Sequence, residues 1–265
     1  MSISILVPIL LGILAGLVVN YLADVLPFTL RLSRPVCTNQ ECQKPFAWSA
    51  YLLMQPCGTC AKRRGGRTFA VLLWCAVSAL YLWFSYPAKL GYALSFIVLI
   101  YLYSVAVIDL EHRLILRPLS IAGLILTAIT GTVLHGWFST LIGGLTGFAI
   151  MYIFYLFGKL FTRRRARRLG QDPKEAEEAL GSGDVTLATI LGLFLGWPLI
   201  WFGLLLGVLV GGLISLLIVM IMILVQRKRK EQALMTFFPL GPAYIFSAIL
   251  LVYLPNWIGS GLPKV

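Results

Sequence analysis

Residues 181–184 read Gly-Ser-Gly-Asp, and the apolar run 185–199 follows them directly. A carboxylate at the membrane end of an apolar helix costs free energy, so its presence there suggests a function. A second aspartate, Asp109, closes an earlier apolar run in the same way. The two glycines before Asp184 leave the backbone free to bend and allow another chain segment to approach closely. This stretch therefore predicts a helical membrane protein that carries two boundary carboxylates.

The composition is that of an integral membrane protein. Of the 265 residues, 59% are hydrophobic and 12% are charged, and the mean hydropathy is +0.90. Soluble domains are roughly half apolar and about a quarter charged. The net charge of +12 would suggest nucleic acid in a soluble protein, but basic loops on one side of a membrane account for it. We expect membrane lipids around this chain and no nucleic acid partner.

Apolar runs long enough to cross a bilayer recur along the whole chain. A span needs about 20 residues, and about eight runs approach that length. They lie at 3–22, 68–86, 90–108, 118–134, 137–158, 185–199, 200–225 and 237–254. Because continuous runs of this length form helices in a bilayer, the predicted fold is an all-α membrane protein with about eight transmembrane helices.

The basic residues predict the orientation. All 22 Lys and Arg residues except Lys89 and Lys264 fall in the four loops that eight spans place on one side. By the positive-inside rule these loops are cytoplasmic and both termini lie outside. Span order then places Asp109 and Asp184 at the same cytoplasmic boundary.

The loop 23–67 is distinguished by its cysteines. It contains four of the five in the chain: Cys37, Cys42, Cys57 and Cys60. In a reducing compartment such a set favours a metal site over two disulfides, the alternative being four unrelated thiols. Four thiolates suit a structural Zn²⁺, which would stabilise a loop too short to form its own core. We predict a first transmembrane helix at 1–22, a four-cysteine insertion at 23–67 and a seven-helix membrane core at 68–265.

Several motifs resemble those of the type IV prepilin (leader) peptidases, which are membrane aspartyl proteases with a Gly-x-Gly-Asp motif. The resembling residues are Gly16 and Asn20, Leu26-Pro27, Ile108–His112, Gly181–Asp184 and Phe238–Pro242. The resemblance implies that Asp109 and Asp184 are catalytic. It also implies that Gly181 and Gly183 support the loop before the second aspartate.

Two carboxylates at one site have a chemistry of their own. They cannot both ionise cheaply at close range, so the pair holds one proton near neutral pH. One carboxylate then activates water, and the other protonates the carbonyl or the leaving amine. The alternative is that Asp184 is only the N-cap of its helix.

The resemblance implies an endopeptidase that removes the basic leader of type IV prepilins or related pseudopilins, in type IV pilus or type II secretion systems. It would act at the cytoplasmic face of the inner membrane of a prokaryote. Many relatives also methylate the new N-terminus, but residues 67–72 lack the Tyr-Pro-x-x-Glu that relatives carry there. S-adenosylmethionine is therefore expected as a cofactor only if methyltransferase activity is retained.

Two alternatives stay open. A presenilin-like intramembrane protease also carries Gly-x-Gly-Asp, but its first motif is Tyr-Asp deep within a span, whereas Ile108-Asp109 ends one. A catalytically inactive family member acting as a scaffold is the other. It is suggested by Thr186, which stands where relatives usually carry Lys, and by the missing second acid after Asp109.

Overall fold

The structure, a computed structural model, describes residues 2–37, 42, 44–45, 47–61, 64–168, 181–225 and 239–254. These residues form helices and connecting loops. The helices are α1 (Ser2–Thr29), α2 (Trp48–Leu52), α3 (Gly66–Phe84), α4 (Gly91–His112), α5 (Arg117–His135), α6 (Trp137–Arg168), α7 (Ser182–Leu195), α8 (Leu199–Val225) and α9 (Leu240–Tyr253). The predicted all-α fold is confirmed.

Every predicted apolar run falls on one of these helices, but the helices differ in length. Six of them, α1, α3, α4, α5, α6 and α8, are long and apolar enough to cross a membrane. Two shorter apolar helices, α7 and α9, have 14 residues each, fewer than the roughly 20 that a full span needs. The chain is thus a multi-pass membrane protein, and within the described residues six of its helices have the length of a span.

Two helices extend into segments predicted as loops. α1 continues beyond residue 22 to Thr29 and contains Pro27 in its last turn. α6 continues through the basic run to Arg168. Arginine is a good helix former, and neither glycine nor proline interrupts residues 159–168. The hydropathy boundary therefore marks where the side chains become polar and not where the helix ends.

The chain divides into two compact units, Met1–Leu119 and Ser120–Val265. In the first unit α1 packs against α3 and α4. A Cβ on Gly16 would lie 2.9 Å from Leu72 Cα, so α1 and α3 approach closely only because this residue is glycine. One turn later, the Asn20 amide donates hydrogen bonds to the carbonyls of Gly16 at 2.8 Å and Thr68 at 3.3 Å. Gly16 and Asn20 of the predicted motif thus join these two helices.

In the second unit α7 packs against α6 along a row of glycines. A Cβ on Gly143 would overlap the carbonyl oxygen of Gly192, and a Cβ on Gly147 would overlap that of Ala188. The two helices therefore touch backbone to backbone, as small residues allow in membrane proteins. α9 packs against α7 and α8.

The C-terminal end of α7 is held by the turn between α5 and α6. His135 Nε2 lies 3.3 Å from the Phe194 carbonyl oxygen, and the Ser139 hydroxyl donates to the Trp197 carbonyl at 2.8 Å. The Trp197 N–H in turn donates to the Ser139 carbonyl at 3.0 Å. These bonds satisfy backbone groups that the end of a helix leaves unpaired, and they fix one end of the helix whose other end carries Asp184.

Candidate active site and metal centre

Asp109 lies in the last turn of α4 and is 5% exposed. The helix ends at Arg113, which adopts a left-handed conformation with φ 53° and ψ 38°. The N–H of Arg113 donates to the Asp109 carbonyl at 2.9 Å, a common way to close a helix. The carboxylate is thus carried at the terminus of an apolar helix, as the sequence predicts.

The last turn of α4 is attached to both other long helices of its unit. The Arg67 guanidinium donates to Glu111 Oε2 at 2.8 Å and forms an ion pair with Asp24. The rings of Phe28 and His112 meet edge to face with their centroids 5.7 Å apart. Asp24 is 3% exposed, so it is a buried ion-pair partner and not only an aspartate at a span boundary.

Asp184 lies in the first turn of α7 and is half-buried. Gly181 is the N-cap, with φ −79° and ψ 150°, and its carbonyl accepts the N–H of Asp184 at 3.1 Å. Any residue adopts this conformation, and the nearest atom to a Cβ on Gly181 would be Gly183 N at 3.9 Å. Within the described residues, therefore, the backbone at Gly181 does not require glycine. The Thr186 hydroxyl donates to the Ser182 carbonyl of its own helix at 3.3 Å.

Both aspartates fall within one region that matches a known protein family. Residues 96–216 match the type IV leader peptidase family. The match confirms, over this leader peptidase region, the family resemblance predicted from the motifs. No curated protein and no solved structure matches the chain.

The leader peptidase region contains Asp109 and Asp184, but in different units of the fold. The pairing of the two carboxylates stays a prediction. Pro239, from the last of the resembling motifs, caps α9, whereas Phe238 lies outside the described residues.

The four cysteines before the leader peptidase region come together at one point. Their sulfur atoms all lie within 4.8 Å of one another. Cys37 Sγ is 3.5 Å from Cys60 Sγ, and Cys42 Sγ is 3.9 Å from Cys57 Sγ. Zn–S bonds of ~2.3 Å in a tetrahedron place sulfur atoms about 3.8 Å apart. The four residues predicted as ligands thus fit a metal ion of this size.

Backbone hydrogen bonds shape each half of the cysteine cluster. The N–H of Cys37 donates to the Lys44 carbonyl at 3.0 Å, which ties Cys37 to a residue close to Cys42 in the sequence. The backbone N–H groups of Cys60 and Thr59 point to the Cys57 sulfur and lower the pKa of this thiol to about 6. A thiol must lose its proton to bind a metal, so this turn favours the ligand form of Cys57.

The helix between the two cysteine pairs contacts the end of α1. Tyr51, on α2, donates its hydroxyl proton to Asp24 Oδ2 at 2.7 Å, and burial together with the Asp24 charge raises the pKa of Tyr51. Tyr21 contacts the rings of Trp48 and Tyr51 at 5.2 and 6.3 Å between centroids. The Arg64 guanidinium lies 3.7 Å above the Tyr51 ring. The cysteine loop is thus joined to the membrane helices through Tyr51.

Proposed function

We propose that this protein is a membrane-embedded aspartyl endopeptidase that removes the basic leader of type IV prepilins or related pseudopilins. The family match carries the proposal, because the leader peptidase region contains both aspartates that the motifs indicate. The position of each supports it: Asp109 closes an apolar helix and Asp184 opens another.

In the proposed reaction, Asp109 and Asp184 share one proton. The ionised carboxylate accepts a proton from water while the water oxygen forms a bond to the carbonyl carbon of the scissile peptide. The protonated carboxyl gives its proton to the carbonyl oxygen, and a proton then passes to the departing amine as the C–N bond breaks. Gly181 and Gly183 would leave room before Asp184 for the extended backbone of the substrate.

The experiment that tests this function uses purified protein in detergent and a peptide with a basic leader, a glycine and an apolar segment. We expect a single cut after the glycine, identified by mass spectrometry. Loss of cleavage in the aspartate variants described in the Discussion distinguishes the aspartyl mechanism from a contaminating protease. An intact peptide under these conditions would instead favour an inactive scaffold.

The site is proposed to face the cytoplasm, in the inner membrane of a prokaryote. The distribution of basic residues supports this orientation. We expect a cysteine at position 170 to react with an impermeant maleimide only after cells are opened. Lys89→Cys, on the opposite side in the same cysteine-free background, should react in intact cells. Labelling of position 170 in intact cells would contradict the proposed cytoplasmic orientation.

Methylation of the product is not part of this proposal. The residues at 67–72 lack the motif that accompanies the methyltransferase in relatives. S-adenosylmethionine would be a cofactor only of a retained second activity, and its absence from the reaction should leave cleavage unchanged.

We also propose that the cysteine cluster binds one structural Zn²⁺, and that residues 23–67 act as an insertion before a protease core at 68–265. The sulfur spacing supports zinc, since thiolate ligands at tetrahedral distances favour this ion. The ion would hold together the two cysteine pairs that flank α2 and so keep α2 in place.

Metal analysis of the purified protein should give about one zinc per chain. We expect the Cys57→Ser/Cys60→Ser variant to lose the metal, because two of the four ligands are gone. Cys75→Ala is the matched control, since Cys75 is buried in α3 at 2% exposure, away from the cluster. Wild-type protein that is metal-free, folded and fully active would contradict the zinc assignment.

A further inference from the structure

Arg67 is the residue through which three parts of the first unit meet. It stands in the first turn of α3 and contacts carboxylates on two other helices, Asp24 on α1 and Glu111 on α4. Asp24 also accepts the Tyr51 hydroxyl from the cysteine loop. One guanidinium thus connects the end of α1, the cysteine loop and the last turn of α4.

The two ion pairs differ in their surroundings. The Asp24 side chain is 4% exposed and that of Arg67 is 23% exposed, whereas the Glu111 side chain is 38% exposed. The pair with Glu111 also borders an open groove of about 370 Å³ whose lining includes Val71, Trp74 and Leu110. Water therefore weakens the outer pair, Arg67–Glu111, whereas the inner pair, Arg67–Asp24, costs more free energy to break.

The outer pair acts on the turn that carries Asp109. Glu111 follows Asp109 by two residues, and the Asp109 carbonyl accepts the bond that closes the helix. A helix end without outside contacts frays within its last turn. The Arg67–Glu111 pair and the Phe28–His112 contact hold this turn from two sides.

We propose that Arg67 is a positioning residue for Asp109, acting through Glu111. The inference rests on the proposed function, because it assigns Asp109 to the reaction. A planar guanidinium with several N–H donors can hold two carboxylates at once, whereas a lysine ammonium is a compact point charge on a flexible stem. Arg67 thereby ties the end of α4 to the buried Asp24 and, through Tyr51, to the cysteine loop.

The first test measures the helix end itself and needs no substrate. In Glu111→Gln, hydrogen exchange at the amides of residues 110–113 should become about fivefold faster, because loss of the charged partner loosens the last turn. Arg67→Lys should give a similar increase, since Lys is expected to stay with the buried Asp24. Arg34→Ala is the control: it removes an exposed arginine of the cysteine loop, and it should leave the exchange unchanged.

The second test measures cleavage. Glu111→Gln and Arg67→Lys should each lower kcat about fivefold at unchanged KM, and the double variant should be no worse than either single one. The two limbs of the pH profile should move closer together. When Asp109 is held less firmly, it interacts less with Asp184, and the two apparent pKa values of the pair differ less. A variant that merely folds less well would lower kcat in proportion to the folded fraction and keep the profile of the wild type.

Arg67→Ala is the severe variant and is expected to destabilise the protein, since it leaves Asp24 buried without its partner. The proposal therefore depends on Glu111→Gln, whose side chain is partly exposed and keeps its shape. Unchanged exchange at the end of α4 in folded Glu111→Gln would overturn it. So would an unchanged kcat in a protein whose Asp109→Asn variant is inactive. If Asp109→Asn itself stays active, the proposed function fails, whatever the exchange result.

Discussion

Asp109→Asn and Asp184→Asn are each expected to reduce leader cleavage by about 10³-fold or more, with the protein still folded and inserted. The amide has the shape of the carboxyl group, so packing around the buried Asp109 should survive. What is lost is the proton that the two groups share. Because they act as one unit, the double variant should be little worse than either single variant.

Initial rates on a prepilin peptide measure this effect, and the wild type should show a bell-shaped pH profile that belongs to the pair. Ser182→Ala is the matched control from the same motif, since its side chain is exposed, and it should keep its activity. Asp24→Asn is unsuitable as a control despite its similar place in the sequence, because it disturbs the buried ion pair with Arg67. An Asp184→Asn variant that cleaves at near the wild-type rate would show that Asp184 has only a local role in the first turn of α7.

Gly147→Leu is expected to lower the free energy of unfolding by about 3 kcal/mol or more, at the upper end of the cost of overpacking. A side chain at this position would collide with the Ala188 carbonyl. A backbone cannot move aside as the end of a flexible side chain can. α6 and α7 would therefore have to separate along their line of contact.

Thermal unfolding in detergent measures this loss. Gly212→Leu is the control, because a Cβ at Gly212 meets no atom within 4 Å and α8 is exposed there. It adds the same leucine to a membrane helix and should leave the transition temperature nearly unchanged. Equal transition temperatures for the two variants would mean that the tight contact between α6 and α7 is unimportant for stability.

The sequence was sufficient for the parts of the fold that depend on solvation. Long apolar runs must be helical in a bilayer, so each predicted run corresponds to a helix over most of its described residues. The four cysteines came together as their grouping in one loop suggests. Helix ends were harder to place, because hydropathy responds to side-chain polarity whereas a helix ends where its hydrogen bonds do. The end of α6 shows this. Its arginines are charged, which suggested a loop after the apolar run, but arginine favours a helix and α6 continues through them to Arg168.

The network around Arg67 could not be predicted in the same way. Arg67 is 43 residues from Asp24 and 44 from Glu111, and their meeting depends on the rotation of three helices about their own axes. Arg67 looked like one of several basic residues of a cytoplasmic loop. A charged residue directly before an apolar run, with carboxylates at two other helix ends, was the available signal. It does not say which carboxylate is the partner.

The length of α7 has a consequence for the lipid around it. Its 14 residues give about 21 Å at 1.5 Å per residue, whereas the hydrocarbon layer is ~30 Å thick. Trp197 and Trp201, just beyond its C-terminal end, are exposed, and such tryptophans prefer the headgroup level. With that end at the headgroup level, Asp184 would lie below the opposite headgroups unless the bilayer thins around the protein. In the proposed hydrolysis, such thinning would bring water, the second reactant, to the Asp184 carboxylate through the deformed membrane.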